Sequence, residues 1–127
     1  MSNDFITEKE LLNKYPEIFR QKDLSMTQTA MCWGIDCDKG WYHIIDTLCS
    51  RLQRLTKEGH PQVEFVQVKE KFGGLRVYVH QASDLQYELI DFAEEMSYAI
   101  CEKCGCPGKL REGMWIVTSC DLCYNKD

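Results

Sequence analysis

The chain has 127 residues, 44% of them apolar and 28% charged, which is enough for one domain with a modest core and too little for two. With three prolines and no low-complexity tract, this composition excludes wholesale disorder, and no apolar run approaches the length that crosses a bilayer. The net charge of −5 has the wrong sign for a general nucleic-acid binder, although residues 51–76 carry a positive surplus ahead of a purely acidic stretch at 77–100.

The opening MSNDFITEKE is polar and acidic rather than basic and then apolar, so no signal peptide is read and a cytoplasmic protein without membrane contact is expected. Eight cysteines in such a compartment are thiols available to metal rather than disulfides. Thr7 and Glu10 have the spacing of a capping box, opening a short helix that Tyr15-Pro16 ends. The segment MCWGIDCDKG is turn-rich and holds Cys32 and Cys37. After it, Trp41, Ile44, Ile45, Leu48, Leu52 and Leu55 recur at helical spacing, predicting a long amphipathic helix over 40–57 that GHP at 59–61 breaks.

Residues 63–81 read as a β-hairpin around Gly73-Gly74, a pair that accepts positive φ at both positions. In that register Phe72 opposes Leu75, Glu70 opposes Val77, Val68 opposes Val79, and Lys71 lies beside Arg76. One face is then nearly all apolar and meets the helices, with Glu70 at its rim or paired to a cation. The other face carries Lys69, Lys71, Arg76, Tyr78 and His80. Ser83 and Gln86 predict the cap of a further helix over 83–99, with Leu85, Leu89, Phe92, Ala93, Met96 and Ile100 inward.

The C-terminal cysteines are the most specific signal. Cys101 and Cys104 form CEKC, Cys120 and Cys123 form CDLC, and fifteen residues separate the pairs, which is the spacing of a structural zinc site. Each CxxC loop turns tightly enough to aim two thiolates at one ion, and KLREGMWIVTS between them can fold back as a hairpin turning at Glu112-Gly113. Gly105 suits the tight knuckle after the first pair. One structural Zn2+ with four thiolate ligands is therefore expected. A redox CxxC is the competing reading, and it would need the pair to open a helix after a strand. Cys32, Cys37 and Cys49, with His43, show no second paired spacing and read as packing, and Cys106 as a spectator.

Little points to catalysis. There is no HxxxH or HxE metal motif, no nucleophile elbow and no phosphate-cradling glycine loop before a helix, while His43, His60 and His80 share no motif spacing. Asp36, Asp38 and Asp46 near Trp41 and Tyr42 fit helix-dipole complementarity. Trp33, Trp41 and Tyr42 read as the seal on one end of a core, or if exposed as a protein-binding cluster. Trp115 is expected to pack the ribbon onto the domain.

The set CDKGWYHIIDTLC, VKEKFGGLRVYV, CEKCGCPGKL and CDLC resembles a group of small bacterial, phage and prophage proteins with a GW[Y/L]xxIxxLC helix, a KEKFGGLRFY hairpin and a C-terminal CExCGxPG zinc ribbon. The likeness covers about residues 32–125, with Val77 where the group often has an aromatic. It implies a phage or prophage context, in which accessory proteins of this size often act by binding host or defence components.

The sequence thus predicts an α+β protein. Residues 1–100 form a β-hairpin packed on two amphipathic helices, and residues 101–127 a zinc ribbon packed on that domain as one unit. Its expected role is non-catalytic binding of a host or defence protein, with possible inhibition. The alternatives are a nucleotide, small-anion or nucleic-acid binder through the basic hairpin face, and a small enzyme of unrecognised type.

Overall fold

The computed structural model describes residues 5–125. Helix α1 (Glu8–Lys14) begins at the predicted capping box: Thr7 Oγ1 accepts the Glu10 N–H at 3.1 Å, and Glu10 returns the bond to the Thr7 N–H at 3.0 Å. Such a cap contributes about 1 kcal/mol. Residues 15–41 hold three short 3-10 turns and one short strand and are otherwise irregular, yet they supply much of the core. Ile18, Phe19 and Met31 are fully buried, and the Phe19 ring meets Phe65 edge-on at 5.3 Å.

A two-residue strand, β1 (Ile35–Asp36), pairs in parallel with β2 (Glu64–Lys71), which pairs antiparallel with β3 (Gly74–His80) in a sheet of order β1-β2-β3. Helix α2 (Tyr42–Lys57) buries Ile45, Leu48 and Leu52 of its predicted stripe together with Cys49, and leaves Ile44 and Leu55 half-buried. Among the described residues no helix is long and apolar enough to cross a membrane.

The hairpin forms as an element but not in the predicted register. Its loop is Phe72-Gly73, with φ of 51° and 85°, so Lys71 lies opposite Gly74, Glu70 opposite Leu75, Lys69 opposite Arg76 and Val68 opposite Val77. Two contacts set this slip. The Glu70 carboxylate accepts the Gly73 N–H at 2.7 Å, and Gly74 lies so close to the Tyr98 hydroxyl that a side chain there would collide with it. Phe72 holds a left-handed conformation at a cost of about 1 kcal/mol. Because the slip is two residues, the paired side chains keep their faces and change only cross-strand partners, while Phe72 leaves the apolar face for the loop and is exposed.

Helix α3 (Asp84–Ser97) also has its predicted cap, with Ser83 Oγ accepting the Gln86 N–H at 3.2 Å. Its buried face differs from the expected one. Gln86, Ile90, Ala93 and Ser97 are buried, whereas Leu85, Phe92 and Met96 are exposed and Leu89 only half-buried. The cause is the free edge of β3, which α3 covers. Ser97 Oγ accepts the Leu75 N–H and Glu94 Oε2 the Val77 N–H, each at 2.9 Å, while Gln86 Nε2 donates to the Pro61 carbonyl. Satisfying edge N–H groups turns polar side chains inward and rolls the apolar stripe toward solvent.

Candidate metal centre

The C-terminal segment leaves α3 at a bridge between Ile100 and Pro107, runs through a hairpin of β4 (Lys109–Glu112) and β5 (Ile116–Ser119), and ends in the short helix α4 (Asp121–Asn125). Its first knuckle is Cys101 to Gly105. The Gly105 N–H donates to the Cys101 carbonyl at 2.9 Å with φ +81° at the glycine, and the Cys101 N–H donates to the Cys106 carbonyl at 2.7 Å. The second knuckle opens α4, where the Cys123 N–H points at Cys120 Sγ at 3.4 Å.

These two loops bring Cys101, Cys104, Cys120 and Cys123 together, with all four sulfurs within 4.8 Å of one another. Cys104 and Cys120 Sγ are 3.6 Å apart. Thiolates about 2.3 Å from a tetrahedral zinc lie about 3.8 Å from each other, so the cluster has the donor type, number and span of a closed four-sulfur site. Burial works against ionisation of Cys101, but N–H bonds from Cys120, Cys104 and Lys103 outweigh it and bring the thiol down to about 7. Burial pushes Cys104 up, and a bond to Cys120 does the same to Cys123. A bound cation would favour the thiolate at all four.

Of the remaining cysteines, Cys106 lies against Cys104 at the cluster's edge and the others stand apart from it. Cys49 is buried in the core, with burial holding its thiol neutral, Cys37 is raised by burial and by Glu102, Cys32 Sγ reaches the Thr29 carbonyl, and Cys106 is exposed.

The ribbon docks on the rest of the fold through two glycines. At Gly40 an added Cβ would strike the backbone carbonyls of Cys101 and Glu102, and the Gly40 N–H donates to the Glu102 carbonyl at 2.7 Å. Beside it, Trp41 Nε1 donates to the Ile100 carbonyl at 2.8 Å, and Glu102 Oε2 accepts the Asp38 N–H at 3.0 Å. At Gly73, an added Cβ would come within 2.5 Å of the Leu110 side chain, and the Gly73 carbonyl accepts Thr118 Oγ1 at 2.6 Å. The glycines of FGG therefore serve close approach, Gly73 to the ribbon and Gly74 to Tyr98. Glu70, whose role the sequence left open, caps the turn.

The predicted basic surface is present on the outer sheet face but is partly engaged. Arg76 donates to Tyr98 OH at 2.8 Å and to its neighbour's carbonyl on Leu75, with the guanidinium 5.8 Å from the Tyr98 ring. Lys69 is half-buried and pairs in register with Asp36 on β1, while Lys71, Tyr78 and His80 are exposed. Of the aromatic group, Trp41 is fully buried, Tyr42 half-buried and Trp33 71% exposed, so the sealing reading holds for Trp41 and fails for Trp33.

Trp115 is also displaced from its expected place. It is 78% exposed at the tip of the ribbon hairpin, where it cannot pack the ribbon down, and Leu110 and Thr118 make that contact with Gly73 instead. Asp46 accepts Tyr15 OH at 2.6 Å and Lys14 Nζ at 3.0 Å, which ties α1 to α2. No signal within one segment reports the roles of Gly40, Tyr98 or Thr118, since each depends on a partner distant in sequence. Family models, curated proteins and solved structures yield no match to this chain.

Proposed function

We propose that this protein is a zinc-stabilised, non-catalytic binding module whose partner is a host or defence protein, in the phage or prophage setting that its motif set resembles. The four-cysteine cluster supports the metal reading, because four thiolates fill a tetrahedral zinc and leave no position for a water to be activated. When bound, the ion supplies a cross-link between the two knuckles and no chemistry.

The observation that carries the protein-binding reading is the apolar tip of the ribbon. Met114 is 94% exposed and Trp115 78%. Met114 and Trp115 line a groove of about 350 Å³ with Val117, Cys123 and Tyr124. Exposed Trp and Met beside a rigid, cross-linked loop are the residue types that anchor protein interfaces, because they bury large area at small conformational cost. The anionic-ligand alternative has less support, since Tyr98 holds Arg76 and Asp36 lies beside Lys69.

The test is a pull-down from bacterial lysate, with and without nuclease, comparing wild type, Met114→Ala/Trp115→Ala and Lys71→Glu/Arg76→Glu. A nuclease-resistant protein kept by the hairpin variant and lost by the tip variant is the expected outcome. Loss with the hairpin variant, or with nuclease, would transfer the function to the basic face.

A further inference from the structure

The roll of α3 leaves a groove between α2 and α3 whose composition specifies what fills it. Its floor is Ile44, Leu48, Leu89, Phe92, Met96 and Ile100, with a volume of about 400 Å³. Phe92 is 65% exposed and Leu85, which continues the stripe by one turn, 50%. Positions 85, 89, 92 and 96 alternate in steps of four and three, which is the spacing of a helix seam that packs against further helices. This is an independent surface from the ribbon tip and does not rest on the function proposed for it.

The two rims carry opposite charge. On the α2 side, Arg51 lines the groove and Arg54 follows it one turn on, paired along its own helix with Glu58 at 3.8 Å. On the α3 side the exposed charged residues are Asp84, Glu88, Asp91 and Glu95, of which Glu88 and Glu95 stand one turn either side of Phe92 at the groove's edge. The helices run antiparallel: Trp41 at the start of α2 bonds to Ile100 beyond the end of α3, and at the other end His60 bonds to Ser83 at 2.8 Å.

We propose that this groove is filled by the same groove of a second copy of this chain, giving a two-fold dimer with a four-helix interface. Only one orientation satisfies the charges. A two-fold axis in the interface plane and along the helices lays α2 of one copy on α3 of the other, antiparallel, and keeps each residue at its own height. Arg51 and Arg54 of each copy then face Glu88 of the other, while Phe92 and Met96 enter the opposing seam. An axis across the helices would instead set arginine on arginine and carboxylate on carboxylate, which is repulsive. A surface with complementary halves that are swapped by its own symmetry needs no foreign partner to neutralise it.

Sedimentation of the zinc-loaded full chain over a range of concentrations tests this. Wild type is expected to approach twice the chain mass of 14.8 kDa. Phe92→Glu, at an exposed position, is expected to raise the dissociation constant by roughly 100-fold or more, since it puts a charge into the apolar seam. Arg51→Glu and Glu88→Arg are each expected to dissociate the dimer when alone, by about 10-fold or more. Mixed in equal amounts, these two variants are expected to dimerise again, because every facing pair in the mixed dimer is once more opposite in sign. A monomer at all concentrations would assign the groove to another occupant and overturn the proposal. So would a dimer indifferent to Phe92→Glu, or single-charge variants that the mixture fails to rescue.

Discussion

The N-terminal hundred residues and the ribbon are held together by different physics. Before Cys101 the chain buries a contiguous cluster running from Leu11 and Phe19 through Trp41, Leu52 and Phe65 to Ala93. From Cys101 onward, among the described residues, Cys101 itself is the one buried apolar side chain, and the other buried groups are Thr118 and Ser119. A segment with so little apolar surface removed from water cannot offset the entropy of ordering its own backbone. The comparison teaches that the ribbon leans on its four-cysteine cluster and on two docking points, whereas the rest relies on its core.

Removing the metal is the largest way to break that contrast. Chelation, or Cys104→Ala, is expected to release amide protection throughout residues 101–123 while leaving that of α2 largely in place, as followed by hydrogen exchange. Structural zinc in small modules contributes about 10 kcal/mol of apparent binding free energy, so the loss is expected to be complete within the ribbon. Uniform loss of protection across the chain would show instead that the core depends on the ion.

Next comes the docking point. Gly40→Ala puts a methyl into the carbonyls of Cys101 and Glu102, where backbone rather than a flexible side chain must give way. An effect of about 2 kcal/mol on thermal stability is expected, of the size that overpacking produces. Substitution at Gly59, which has open space around it but φ +106°, is the control for backbone strain alone.

Ser97→Ala sharpens the comparison within the core half. It leaves the buried Leu75 N–H without its acceptor and is expected to cost about 1–3 kcal/mol by denaturant unfolding, with metal content unchanged.

The smallest effect is electrostatic. Arg20, bonded twice to Glu64 at 3.1 Å, holds that carboxyl below its usual range, with burial acting against it. A lowered folded pKa contributes stability above the ordinary carboxylate range and loses it as pH falls through the folded value. Arg20 is 61% exposed, so solvent screens the pair and its contribution is the smallest of these. The stability gap between wild type and Arg20→Ala is expected at pH 7 and to shrink toward pH 3.

What could be read from the sequence follows the range of the forces involved. The caps at Thr7 and Ser83, the α2 stripe and the two cysteine pairs are set within a few residues, and they stand where their spacing placed them. The α+β architecture with its C-terminal cysteine ribbon followed from those elements. Strand β1 escaped notice because two residues carry no periodicity, and its partners Val68 and Lys69 lie far along the chain. The hairpin register was set by Glu70 and Tyr98 rather than by the more permissive glycine pair. On α3 the apolar pattern found the helix but the wrong face, with only Ala93 of its inward set buried, since satisfying a sheet edge decided the orientation.

The FGG turn also has a place in time. About fifty residues separate Gly73 from Cys123, and at about 5–20 residues per second a ribosome takes several seconds to deliver them. A hairpin closes in about 1–10 μs. During synthesis the turn is therefore formed and uncovered, with Phe72 outward, long before Thr118 and Leu110 exist to cover Gly73. The N-terminal part of the fold is the template on which the later-made ribbon is assembled, and the joining of its two cysteine pairs is the closing step.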